Sequence, residues 1–123
     1  MSDKPVLVPG PDHPITIAPA DSEVTVTFGG RLVAKSDRAL VLREAGYRPV
    51  HYLPLDDVDA TVLVPTFHAT YCPYKGDASY YSLVDGDASA ENAVWSYVAP
   101  YHAVAEIAGH VAFYPDRVEI TAG

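Results

Sequence analysis

The stretch Glu23-Val24-Thr25-Val26-Thr27-Phe28-Gly29-Gly30-Arg31-Leu32-Val33-Ala34-Lys35 decides the fold class. Val24, Val26 and Phe28 alternate with Glu23, Thr25 and Thr27 at period two, which puts the apolar side chains on one face of an extended chain. Gly29-Gly30 supplies the residue types that a two-residue hairpin turn favours. Arg31 to Lys35 returns as the partner strand, and a second turn at Ser36-Asp37-Arg38 leads into Ala39-Leu40-Val41-Leu42-Arg43. The reading predicts three neighbouring antiparallel strands.

Working outward, Pro5, Pro9, Pro11 and Pro14 make residues 1–14 an extended proline-rich arm, because proline fixes φ and biases its predecessor away from helix. Order is expected from Ile15-Thr16-Ile17, and residues 15–123 are expected to form a single β-rich domain. Downstream, Val50 to Leu53 reads as a short strand. Val58, Ala60, Val62 and Val64 alternate through a strand expected to stop at Pro65. Ser79–Val84 and Ala93–Val98 read as a pair joined by a loop over 85–92. Pro100 opens a helix at 100–109 with Tyr101, Val104, Ala105 and Ala108 on one face and Gly109 as its stop. Val111–Tyr114 and Arg117–Ile120 read as a closing hairpin. The expected architecture is α+β but mainly β: a strongly curved antiparallel sheet or barrel-like roll closed by one short helix.

Composition narrows the function classes. The 123 residues suit one domain, and 16 acidic against 8 basic residues give a net charge of -8, which repels phosphate backbones and anionic lipid. Neither nucleic acid nor membrane is expected as a partner, and no cofactor is expected. The N-terminus lacks the apolar h-region of a signal peptide, so the expected location is cytoplasmic. Cys72 is the only cysteine, which excludes an internal disulfide and a multi-cysteine zinc site.

The chemistry is concentrated between Phe67 and Tyr81, where His68, Thr70, Cys72, Lys75 and several tyrosines crowd into fifteen residues. Tyr71-Cys72-Pro73-Tyr74-Lys75-Gly76 is followed by Glu91-Asn92-Ala93-Val94-Trp95-Ser96-Tyr97, by Glu106-Ile107-Ala108-Gly109 and by Val111-Ala112-Phe113-Tyr114. These stretches resemble the signature segments of the domain-of-unknown-function family numbered 427, sometimes labelled nucleotidyltransferase-like, over roughly residues 22 to 120. The resemblance implies a small, mainly β domain with a pocket around these motifs. A nucleotidyltransferase would need paired carboxylates for Mg²⁺. The close acidic groups, Asp56-Asp57-Val58-Asp59 and Asp85-Gly86-Asp87, fall in expected turns and read as solvated acidic loops.

Each candidate has a plain alternative. Cys72 is a nucleophile if His68 or Lys75 favours its thiolate, or else a small core residue. Lys75 anchors an anionic group, the following Gly76 permitting the turn, or it pairs with Glu91 or an aspartate. His68 is a general base or ligand, or a histidine held by hydrogen bonds. Two histidines, Cys72 and Glu91 offer no close ligand pair, and no metal site is assigned. Thr70, Tyr71, Tyr74, Trp95 and Tyr97 are the expected ligand-binding residues. Tyrosines outnumber phenylalanines 9 to 3, and buried phenols need partners, which favours a polar-lined cavity over a dry core.

Three readings remain, the third being a metal-dependent nucleotidyltransferase that would use the acidic turn residues. In the first, Lys75, Cys72, His68 and Glu91 serve catalysis or binding in a small-molecule pocket. In the second, the chain is a non-catalytic interaction or homodimerisation module with exposed aromatics.

Overall fold

The computed structural model describes residues 4–123; residues 1–3 of the expected arm lie outside the described residues. Ten strands form in chain order: β1 (Ile15–Pro19), β2 (Val24–Phe28), β3 (Arg31–Ser36), β4 (Leu40–Glu44), β5 (Val50–Pro54), β6 (Leu63–Cys72), β7 (Gly76–Asp85), β8 (Ala88–Ser96), β9 (His110–Phe113) and β10 (Glu119–Ala122). They make a seven-stranded sheet in the order β1-β4-β5-β9-β8-β7-β6 and a three-stranded sheet in the order β10-β2-β3. Every strand pairing is antiparallel. The fold is thus mainly β, with curved sheets that do not close into a barrel.

The β2–β3 hairpin forms as its pattern requires. Gly29 and Gly30 both take positive φ, 57° and 85°, the pair of values that matches a turn to the twist of its strands. Val24, Val26 and Phe28 face inward.

The large sheet obeys the same alternation. Leu53, Leu83, Val94, Val111 and Phe113 point to one face and form a core with Val24, Val26 and Val33 of the small sheet. Their neighbours on the strands, Tyr52, Tyr80 and Ala112, point to the opposite, concave face. There they pack with Leu42, Tyr97, Val104 and Ile107, and Trp95 lies against the same cluster. One face is therefore dry and aliphatic, the other rich in phenols.

Several sequence expectations change in detail. β4 does not join β2 and β3 but crosses to the large sheet between β1 and β5. Pairing with both β1 and β5 satisfies both of its backbone edges, and its Leu40 and Leu42 pack into the phenol-rich cluster. The alternation over 58–64 is not one strand: Val58 makes an isolated bridge to Ala34, and residues 60–62 form a 3-10 turn capped by the Asp59 side chain. β6 continues through Pro65, with a register shift against β7 between Pro65 and Ala69, and the proline is tolerated because β6 is an edge strand. The segment read as a connecting loop after Phe67 is consequently the β6–β7 hairpin itself, and the loop over 85–92 shrinks to a tight turn at Gly86-Asp87.

The helical segment lies where Pro100 announces it, but as a 3-10 helix over His102–Ile107 interrupted at Val104 (φ -127°, ψ 27°). Its buried positions are Val104 and Ile107, three apart, as three residues per turn demands. Further 3-10 turns occupy 55–57 and 60–62. The expected closing hairpin does not form, since β9 lies between β5 and β8 whereas β10 pairs with β2 in the other sheet. No helix among the described residues is long and apolar enough to cross a membrane.

The dry core sets the stability. Leu53 is 0% exposed among aliphatic neighbours, whereas Leu32 is 50% exposed. Leu53→Ala should cost about 2–5 kcal/mol and Leu32→Ala under about 0.5 kcal/mol, measured by urea denaturation.

Candidate functional site

The site begins with a backbone constraint. Gly76, which opens β7, has φ 108°, and a Cβ there would lie 3.4 Å from the Ala99 carbonyl oxygen and 3.9 Å from the Tyr101 ring. The preceding turn is closed by the Lys75 N–H donating to the Cys72 carbonyl at 3.2 Å, and the Tyr101 N–H donates to the Lys75 carbonyl at 3.0 Å. Held from both sides, Lys75 points into the molecule and is only 7% exposed.

A buried ammonium needs a partner. Lys75 Nζ finds Glu44 Oε1 at 2.5 Å, and Cys72 Sγ lies 3.7 Å away. The other Glu44 oxygen, Oε2, is 2.7 Å from His13 Nε2, and the His13 ring stacks on Tyr74 at 4.0 Å and 3°. Burial would raise the Glu44 carboxyl, but hydrogen bonds from Lys75 and His13, together with their charges, outweigh it and hold the group below its ordinary 4.5. The result is a chain of contacts from the arm, through β4, to the β6–β7 turn.

Next to the ion pair lies a cavity of about 200 Å³. Tyr52, Tyr80, Trp95 and Tyr97 wall it, and exposed Tyr47 and Arg48 stand at the solvent side. The Trp95 indole N–H donates to the Tyr52 hydroxyl at 3.2 Å, and the Tyr80 hydroxyl meets Thr70 Oγ1 at 2.9 Å. The Tyr97 hydroxyl has no hydrogen-bond partner among the described residues, although Tyr97 is only 8% exposed. Burial pushes the Tyr52 phenol up to about 12 and raises Tyr97 as well. Tyr52 and Tyr97 therefore act as neutral donors and acceptors, not as phenolate bases.

The sequence-predicted residues separate into two groups. Lys75, Trp95 and Tyr97 line the cavity; Cys72 sits behind Lys75, and Thr70 reaches the cavity only through Tyr80. The remaining four lie elsewhere. Glu91 is exposed on β8, so the partner of Lys75 is Glu44, neither Glu91 nor an aspartate. His68 is exposed and edge-on to the Tyr80 ring at 4.4 Å. The Tyr71 hydroxyl donates to the Pro5 carbonyl at 2.6 Å and meets the Tyr101 hydroxyl at 2.7 Å, so it ties down the arm. Tyr74 is engaged by His13.

Glu44, His13 and Tyr52 were not singled out as site residues. Parity held a clue for Glu44, since Leu40, Leu42 and Glu44 share one face of β4 and the two leucines belong to the concave side. His13 gave no comparable signal, because its partner is 31 residues away.

The acidic turns hold arginines. Asp57 accepts from Ser36 Oγ at 2.6 Å and Arg38 at 3.0 Å, and Arg31 bridges Asp59 and Asp85 at 2.7 Å each. Among the described residues no three His, Cys, Asp or Glu side chains cluster closely enough to hold a metal ion.

Comparison with known families adds one match: the profile described as "Domain of unknown function (DUF427)" fits residues 16–122. No curated protein matches the chain.

Because the Glu44 carboxyl is depressed in the folded state, its contribution to stability is complete above the unfolded value of 4.5 and is lost as pH falls through the lower folded value. Urea titrations should show stability dropping between about pH 5 and pH 3. Glu44→Gln should be less stable at neutral pH and show a shallower acid slope.

Proposed function

The chain belongs to the DUF427 family, and we propose that the phenol-walled cavity beside the β6–β7 turn is a binding site for a small molecule. The observation that carries this reading is Tyr97, a cavity-wall residue only 8% exposed whose hydroxyl has no hydrogen-bond partner among the described residues. No buried side-chain polar atom among the described residues lacks a partner, so this hydroxyl is open to the cavity space, where a ligand polar group placed between Tyr97 and the Lys75–Glu44 pair would gain a hydrogen bond worth about 0.5–1.5 kcal/mol.

In this reading Lys75 and Tyr97 recognise a hydrogen-bonding group, and Trp95 offers a flat wall for the rest of the molecule. Lys75 and Glu44, already sharing a proton-carrying contact, form an acid–base pair that would serve proton transfer should turnover occur. Cys72 does not line the cavity, so its nearness to the ammonium supports a packing and positioning role more than attack on a substrate. His68 and Glu91 take no part. The one cysteine fits a reducing compartment, and we place the protein in the cytoplasm.

A screen of nucleotides and small carboxylates by thermal shift tests the reading. Compounds that raise the Tm should bind at least tenfold more weakly, about 1.4 kcal/mol, to Tyr97→Phe, which keeps the ring, and should lose binding to Lys75→Met. Hits unchanged in both variants would remove the site.

A second reading rests on β6. This edge strand is free on one side, and Phe67 stands wholly exposed beside exposed Val64. Such a strand favours homodimerisation through its edge. Sedimentation should then show a dimer that Phe67→Asp converts to monomer; a monomer at all concentrations ends this reading.

A further inference from the structure

A second cavity, of about 510 Å³, opens on the far side of Trp95. Its walls are mainly apolar: Pro49, Val50, Phe113, Pro115 and Ile120, with His51 at one side. Tyr47, Arg48, Val50 and Trp95 belong to both cavities, so the two share a wall made of one indole and one guanidinium.

The charges at this junction are unequal. Lys75 is compensated by Glu44, and Glu44 is further engaged by His13. Arg48 forms no ion pair or hydrogen bond among the described residues, in a chain where acidic residues outnumber basic ones 16 to 8. Asp116 acts electrostatically on Tyr114 at this side, but it makes no ion pair with Arg48 among the described residues. Arg43 adds a second positive charge near His51, whose protonation is disfavoured by burial and then by Arg43. The junction therefore carries surplus positive charge between a phenolic chamber and an apolar one.

From this arrangement we infer that the ligand is an amphipathic organic anion, an aromatic or branched apolar body with one carboxylate. The carboxylate meets Arg48 at the junction, the body fills the apolar chamber against Trp95 and Phe113, and a hydrogen-bonding substituent reaches Tyr97. The inference rests on the small-molecule reading of the site and adds the ligand's charge and shape to it. A guanidinium suits the role, since it presents paired donors to a carboxylate and stacks against an aromatic ring. A phosphorylated ligand fits less well, because a dianion would have to be desolvated against walls that are mainly apolar.

The test uses Trp95, the only tryptophan in the chain, as reporter. The full-length protein is titrated with 3-phenylpropionate, with its amide, and with acetate while indole fluorescence is followed. The expected result is saturable quenching by 3-phenylpropionate, with the amide and acetate each at least tenfold weaker. Arg48→Gln should bring the acid down to the affinity of the amide without affecting the amide. Equal binding of acid and amide to the wild type, or an acid affinity unchanged in Arg48→Gln, would overturn the anion assignment while leaving the cavity as a binding site. Absence of quenching by all three would overturn this inference alone, because the cavity itself stands or falls on the Tyr97→Phe comparison.

Discussion

The contact between Lys75 and Glu44 is the constraint on which the rest of the molecule depends. These residues belong to a turn at one side of the seven-stranded sheet and to a strand near its other side, with β5, β9 and β8 between β4 and β7. An ammonium and a carboxylate can meet across that distance only if the sheet curls. Their attraction, strengthened by exclusion of water, turns curvature into an enclosed space. Gly76 lets the turn aim inward, and His13 occupies the carboxylate oxygen that Lys75 leaves free. The arm is thus part of the closure.

The composition of the two sheet faces follows from this closure. The face that meets β2, β3 and β10 excludes water and is filled by valine, leucine and phenylalanine. The concave face contains a charged pair, and apolar side chains alone would leave that pair poorly solvated. Tyrosine meets both demands, giving a large apolar ring to pack and a hydroxyl to bond, as Trp95 to Tyr52 and Tyr80 to Thr70 show. Arg31 and Arg38 take up turn aspartates elsewhere on the surface, which separates the acidic character of the whole chain from the positive rim of the cavity.

How much was legible in the sequence depended on the range of the interaction involved. The β2–β3 hairpin was readable because alternation and its two glycines are local. The excess of tyrosine pointed to a polar-lined interior, and Lys75-Gly76 pointed to the turn that supplies the cation. Pro65 misled, since its meaning depends on whether a strand lies at an edge, and that is a property of the assembled sheet. The strand at 58–64 misled for a related reason: Asp59 finds a local cap with Thr61, and the short-range bond wins over the periodic pattern. The partner of Lys75 was hidden because nothing near Lys75 in the chain encodes Glu44. Glu91, read as part of a loop over 85–92, instead lies exposed on β8.

The separation between Glu44 and Lys75 also governs the order of assembly. Hairpins such as β2–β3 and β6–β7 close through neighbours and need little chain entropy, whereas the contact across 31 positions is made only after both flanking regions have formed. The cavity is accordingly the last part of the molecule to be completed and the first to come apart when the arm and the turn separate. A molecule bound there would hold that final contact shut and slow amide exchange along β4 and the β6–β7 turn, making the ligand in effect the last structural element of the fold.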